Sequence, residues 1–344
     1  MLLREHLVVS NISLSNHRRL QDFYTSRFHS VSGIRYLCWR VFWAVYHTCW
    51  LVAGPILAAR DARLVTDATS AAQASRVNGD SDGPHVGDPC PDGATEAAGK
   101  WFIYLSHWVY LFLTVQCIME AAIVVMVMRG KQLKSNSNIK DMELPWSVRV
   151  VWLMSSISAT GSVMIGLWYW TILHKGKTLT GPRINTHAVA AIYCVLDLFI
   201  SRKPFRLMHA PYPVLFGAGY TAFSALYQLA GGRGRNGSPF IYPVLDWSTP
   251  VKTLVVSSIS NFLLIPMVHA ALWGLCLMFV SITDRWGGRI DSPTRYERGE
   301  GGGSQYDAHV DTDTSSCFGN GNSTSSARCS TIEVSEGSLV HSSS

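Results

Sequence analysis

Long apolar runs separated by short polar connections are the feature that most constrains this chain of 344 residues. In hydrocarbon every backbone polar group must be bonded within its own segment, so a run of about 20 apolar residues is typical of a membrane-crossing helix. The runs are Tyr36–Ala58, Trp101–Met128, Ser147–Leu173, Ile184–Ser201, Pro211–Ala230 and Thr253–Ile282. The sequence therefore predicts an all-α, polytopic membrane protein with six transmembrane helices.

Composition agrees with this assignment. Charged residues make up 15% of the chain and hydrophobic residues 48%, and the 12 Trp suit aromatic anchoring at membrane interfaces. The net charge of +6 is spread over short connections and forms no basic stripe, which argues against nucleic acid as a partner. The eight Cys contain no C-x-x-C pair. We expect the lipid bilayer as partner, with no cofactor and no metal, and the sequence carries no signal for an oligomeric state.

The apolar runs divide the chain into segments. Residues 1–35 are polar and basic, and we expect a cytoplasmic segment that lies on the membrane surface. The membrane domain is 36–283, interrupted by a disordered loop at 59–100, and 284–344 form a disordered cytoplasmic tail. Near the span ends, 16 Lys and Arg fall on one side and 10 on the other. This bias predicts that both termini are cytoplasmic.

Ionisable and polar side chains inside apolar runs are costly, so each is a candidate for function. Those considered are Ser106, Glu120, His187, Asp197, Asn261 and His269. Glu120 could pair with Arg40, because spans one and two run antiparallel and both residues lie toward the same side. Asp197 is too far along its helix from His187 to orient that ring, at roughly 15 Å.

Ser106 and His187 form the most informative pair. Spans two and four enter the membrane from the same side, so the two residues lie at similar depth. A neutral imidazole within hydrogen-bonding distance could take the proton of a serine hydroxyl and activate it as a nucleophile. The alternative is a packing hydrogen bond between two helices, with no chemistry at all. No set of Cys, His and carboxylate residues has metal-ligand spacing.

Several motifs resemble the rolling stone family of insect membrane proteins. They are Lys100–Ser106, Asn185–His187 with Asp197–Ser201, Arg206–His209 with Pro213–Gly217, and Phe240–Trp247, in which Tyr-Pro-Val-Leu-Asp-Trp is the most specific run. The resemblance covers residues 36–283. It implies a plasma-membrane protein associated with myoblast fusion, although an internal membrane stays open.

Rolling stone proteins are in turn similar to androgen-induced and androgen-dependent six-span proteins, which hydrolyse fatty-acid esters with an intramembrane Thr and His. On that resemblance the Thr falls on Ser106 and the His on His187. Two hypotheses follow. The first is a non-enzymatic protein of cell-cell fusion or membrane organisation, and the second is a Ser/His hydrolase acting on a lipid ester substrate.

Overall fold

The computed structural model describes residues 12–15, 17, 19–28, 33–77, 92–130, 144–174, 176, 179–234 and 237–286. Within these residues the regular structure is helical, and extended pairing is limited to one bridge between Ser26 and Ser201. The predicted tail lies outside the described residues from 287 onward. The prediction of an all-α fold is confirmed for the part of the chain that is described.

The helices are labelled in chain order. They are α1 Ile34–Val77, α2 Asp92–Gly99, α3 Leu105–Met128, α4 Trp146–Leu173, α5 Gly181–Ile200, α6 Pro211–Leu229 and α7, which begins as Pro250–Ile259 and ends as Ile265–Trp286.

Five of these helices are long and apolar enough to cross a membrane: α1, α3, α4, α5 and α7. The fifth apolar run of the sequence does form a helix, α6, of 19 residues. It is not among the five, because its Gly, Ser, Thr, Gln and Tyr residues lower its hydropathy. A multi-pass helical membrane protein is therefore confirmed, and the count of six spans is not.

The stretch 59–100, predicted as a disordered loop, is helical at both ends. Residues 59–77 continue α1, and 92–99 form α2. Both segments are rich in Ala, the strongest helix former, and the buried side chain of Ala97 lies on α2. Residues 78–91 lie outside the described part of the chain. Helix propensity here outweighs the low apolar content on which the prediction of disorder relied.

The N-terminal segment packs against the bundle, and its described part contains the 3₁₀ turn Leu20–Phe23. Phe23 is buried against Trp152 of α4. The backbone N–H of Arg27 donates to the carbonyl of Ile200 at 2.9 Å. Residues 19–28 are thus held against the helical bundle, and their position relative to the membrane surface stays a prediction.

Two ends of the bundle can be distinguished by their residues. The Ser106 end is where α3 begins and where residues 237–249 lie, since Tyr242 contacts Ser106 there. The Lys203 end is where α5 leads into Ser201 and Lys203, and where Arg27 meets Ile200. Along α3 the two ends are separated by roughly 20 Å, at 1.5 Å rise per residue.

Two π-helical turns face each other at the Ser106 end. One is Tyr169–Leu173 in α4 and the other is Asn185–Val189 in α5. The rings of Tyr169 and His187 stack with centroids 3.9 Å apart and planes 5° apart. Gly166 permits this approach, because a Cβ there would lie 2.7 Å from the carbonyl oxygen of His187. Such turns are frequent at functional sites.

Candidate functional site

Ser106 is buried in the first turn of α3 and engages Tyr242. The Ser106 hydroxyl and the backbone N–H groups of Leu105 and Ser106 lie close enough to the Tyr242 hydroxyl to oppose part of the rise that burial causes in the pKa of that phenol. The first N–H groups of a helix have no partner within it, and the Tyr242 phenol lies beside those of α3. Burial raises the pKa of Tyr242 to about 12, and the phenol is therefore neutral at physiological pH.

His187 occupies the π turn of α5. Its ring stacks on Tyr169, and its carbonyl accepts a 3.2 Å hydrogen bond from the Trp170 indole. The Nδ1 atom is buried and has no hydrogen-bond partner among the described residues. An imidazole nitrogen in this state can accept or donate a proton if a partner approaches.

Ser106 and His187 lie at the same end of the bundle but do not hydrogen-bond each other. The Ser106 hydroxyl lies beside Tyr242, while His187 lies within electrostatic range of His107, the residue after Ser106. His107 itself stacks on Trp101 with centroids 3.8 Å apart. The two predicted site residues thus lie at the same end of the bundle without forming a nucleophile and base pair in this structure.

A network of four charges lies inside the bundle toward the Lys203 end. The Arg40 Nη1 atom is 2.5 Å from Glu120 Oε2 and 2.6 Å from Asp197 Oδ1. Lys203 Nζ donates to Glu120 and lies 3.3 Å from Asp197 Oδ2. The predicted pairing of Arg40 with Glu120 is confirmed, and the network joins α1, α3, α5 and the segment after α5.

Uncharged groups complete this network. The Tyr36 hydroxyl accepts from Arg40 Nε at 3.0 Å. Gln116 Nε2 donates to Glu120 Oε1 at 3.1 Å, and Ser158 of α4 donates to the amide oxygen of Gln116. All four charged side chains are almost fully buried, and two positive charges balance two negative ones. Removing one charge from such a buried group costs roughly 3–5 kcal/mol, because its partner stays unpaired.

The other two candidates, His269 and Asn261, have structural partners. His269 Nδ1 bonds the Thr160 hydroxyl at 2.8 Å, and its Nε2 donates to the carbonyl of Arg206 at 2.9 Å. Asn261 Nδ2 donates to Thr221 at 3.1 Å. These bonds tie α7 to α4 and α6. Among the described residues no group of three or more His, Cys, Asp or Glu could hold a metal ion.

Sequence reasoning missed Lys203, which lies outside every apolar run. It also missed the position of Tyr242 beside Ser106. The signal for Lys203 was its position shortly after Asp197, at the end of α5. For Tyr242 the only signal was its place in an aromatic outer loop.

Helices that are long and apolar enough to span a membrane, joined by buried polar groups, define a multi-pass integral membrane protein. The family model for "Protein rolling stone" matches residues 94–287. That region is more than half of the chain, so the chain belongs to the rolling stone family. The resemblance seen in the sequence is confirmed, although the match begins after α1 and leaves Arg40 outside.

One curated relative is Protein rolling stone of Drosophila melanogaster. It is 27% identical over 185 residues, which cover 52% of this chain and 66% of the relative. The chain therefore spans slightly less than two thirds of the length of this relative. No solved structure matches the chain.

Proposed function

We propose that the protein is a non-enzymatic component of membrane organisation that acts at sites of cell-cell fusion, the role implied by its resemblance to the rolling stone family. One observation carries this proposal. Ser106 and His187 form no hydrogen bond with each other among the described residues, and the Ser106 hydroxyl lies beside Tyr242 instead. The closed charge network of Arg40, Glu120, Asp197 and Lys203 supports a structural role for the interior.

A content-mixing assay tests this role. Two cell populations expressing the chain, each with half of a split fluorescent reporter, are expected to fuse more often than cells with empty vector. Ser106→Ala should fuse as well as wild type, because no chemistry at Ser106 is needed. Fusion no higher than in the vector control would overturn the proposal.

The topology proposed with this function has six spans, with α6 as the fifth in order. The first turn of α6 follows His209, and the His209 ring contacts Trp152 near the Lys203 end. From the middle of α6, the Tyr220 hydroxyl donates to the carbonyl of Ile103 at 2.8 Å, three residues before Ser106. A helix of 19 residues is about 28 Å long, close to the hydrocarbon thickness. The termini then share one side, cytoplasmic by the Lys and Arg bias, in the plasma membrane.

The second candidate function is an intramembrane hydrolase of fatty-acid esters. The observation that favours it is the buried Nδ1 of His187, which has no hydrogen-bond partner among the described residues and lies at the Ser106 end. Catalytic hydrogen bonds are often made only when substrate is bound. In this function Ser106 attacks the ester carbonyl and forms an acyl-enzyme, while His187 takes the serine proton and passes it to the leaving alcohol. Water then releases the fatty acid.

A further inference from the structure

Each of the helices α1, α3, α4, α5, α6 and α7 has an arginine at or close to its Lys203 end. These arginines, which we call the arginine collar, are Arg35 on α1, Arg129 after α3, Arg149 on α4, Arg202 after α5, Arg206 before α6 and Arg285 on α7. Arg35, Arg129 and Arg285 are exposed. None of these three takes part in an ion pair within the part of the chain that the structure describes.

The two ends of the bundle differ in how their positive charges are balanced. At the Ser106 end Lys100 Nζ lies 2.6 Å from Glu96, and two arginines alternate with two aspartates over residues 60–67 of α1. At the Lys203 end the described carboxylates outside the charge network are Asp22 and Asp284, against six collar arginines. The described part of the Lys203 end therefore carries an excess of positive charge.

Two collar arginines lie where a positive charge does not stabilise the helix that carries it. Arg35 is the second residue of α1 and Arg149 is the fourth residue of α4, so both lie at helix N-termini. A helix N-terminus carries a partial positive charge, and a cation is unfavourable there. A phosphate group beside these side chains would be attracted by the guanidinium and by the helix N-terminus together.

A tryptophan places the collar at the depth of lipid head groups. Trp146, the first residue of α4, is 75% exposed and lies one helical turn before Arg149. Tryptophan side chains are enriched at the boundary between hydrocarbon and head groups. The guanidinium of Arg206 is itself held in place, because it lies 4.6 Å from the centre of the Trp152 ring. The collar therefore faces the layer in which lipid phosphates lie.

We propose that the arginine collar binds the head groups of anionic phospholipids in the membrane leaflet at the Lys203 end. The negative charge of the lipid complements the collar, and a guanidinium can give two parallel hydrogen bonds to one phosphate. A zwitterionic phospholipid offers the same phosphate but brings its own cation, so its net attraction is weaker. Under the proposed topology this leaflet is the cytoplasmic one, where anionic lipids are concentrated. The binding does not depend on fusion or on catalysis.

Quenching of tryptophan fluorescence by brominated phospholipids tests the collar. The protein is reconstituted into phosphatidylcholine vesicles that contain increasing fractions of brominated phosphatidylserine or of brominated phosphatidylcholine. Both leaflets have the same composition, so both ends of the bundle meet the same lipids. Wild type should prefer phosphatidylserine by about fivefold, the ratio expected when each bound lipid meets one arginine near the surface. The preference should fall as the salt concentration is raised, because the exposed charges are then screened.

A triple variant assigns this preference to the collar. Arg35→Gln, Arg129→Gln and Arg285→Gln together remove three exposed charges from the Lys203 end. We expect the preference for phosphatidylserine to fall by about half, because three of the six collar arginines remain. The thermal unfolding midpoint in detergent checks that the variant is folded.

The matched control removes the same charge from the other end. Arg60→Gln, Arg63→Gln and Lys252→Gln change three exposed cations at the Ser106 end, and this variant should keep the preference of wild type. Equal losses in the two triple variants would mean that net charge alone attracts the lipid, and would overturn the proposal. Equal quenching of wild type by the two brominated lipids would also overturn it, whether or not the variants fold.

Discussion

Arg40 of α1 and Glu120 of α3 form a 2.5 Å ion pair inside the bundle, with side chains 1% and 0% exposed. A pair this deep is stable only when every charge is compensated, and here Asp197 and Lys203 complete the balance. Three spanning helices and the segment after α5 are held together by this one network. Its disruption should therefore affect the fold as a whole.

The first prediction concerns Glu120→Leu. The change leaves Arg40 and Lys203 buried with only Asp197 as counter-charge, so we expect a loss of roughly 3–5 kcal/mol in the free energy of unfolding. The measurement is thermal or denaturant unfolding in detergent, with Asp67→Asn as control because Asp67 is an exposed carboxylate on the same α1 helix as Arg40. A variant as stable as that control would show that the network contributes little.

Removing both partners of the ion pair should be less damaging than the single changes suggest. In Arg40→Met with Glu120→Leu, Asp197 and Lys203 still balance each other. We expect the double variant to be more stable than the sum of the single effects by about 2–3 kcal/mol. The measurement is a double-mutant cycle under the conditions of the first prediction. If the effects of the two single changes on the free energy of unfolding simply add, Arg40 and Glu120 are not directly coupled.

Gly166→Ala should disturb the contact between α4 and α5. The new Cβ would meet the backbone oxygen of His187 at 2.7 Å, and a backbone group cannot rotate away. We expect a lower unfolding midpoint. Gly219→Ala on α6 is the matched control, since nothing lies within 4 Å of its Cβ position and Ala favours a helix by about 1 kcal/mol. Equal effects of the two changes would contradict the close approach of α4 and α5.

The charge of Lys203 leads us to a prediction of how the free energy of unfolding changes at alkaline pH. Burial disfavours its charged form, but the carboxylates of Glu120 and Asp197 outweigh burial and raise the pKa of Lys203. The stabilisation is therefore complete below the pKa of an unfolded Lys, about 10.4, and is lost as the pH rises through the higher folded value. As the pH rises above about 10.4, wild type should lose more stability than Lys203→Met. Parallel losses would show that Lys203 does not titrate with folding.

The helical class and most spans follow from the apolar runs, because hydrocarbon leaves a backbone few alternatives. The ion pair of Arg40 with Glu120 was predictable for a related reason: two adjacent antiparallel spans place both charges at one depth. The borderline hydropathy of α6 shows the limit of this reasoning, since a helix forms whether or not its run is apolar enough to count as a span.

The details of the site could not be predicted in the same way. The π turns at Tyr169 and Asn185 have no sequence signature, yet they bring the rings of Tyr169 and His187 into contact. The partner of Ser106 is Tyr242, far along the chain in the loop before α7. Such a contact depends on how the loop folds back, and no local pattern encodes it.

Labelling of membranes with a fluorophosphonate probe, which reacts with activated serines, tests the central claim most directly. The comparison is wild type against Ser106→Ala and His187→Ala, each confirmed to be folded. Because Ser106 lies beside Tyr242 and does not hydrogen-bond His187, we predict no labelling that depends on either residue. Labelling of wild type that both substitutions abolish would contradict it and establish the hydrolase.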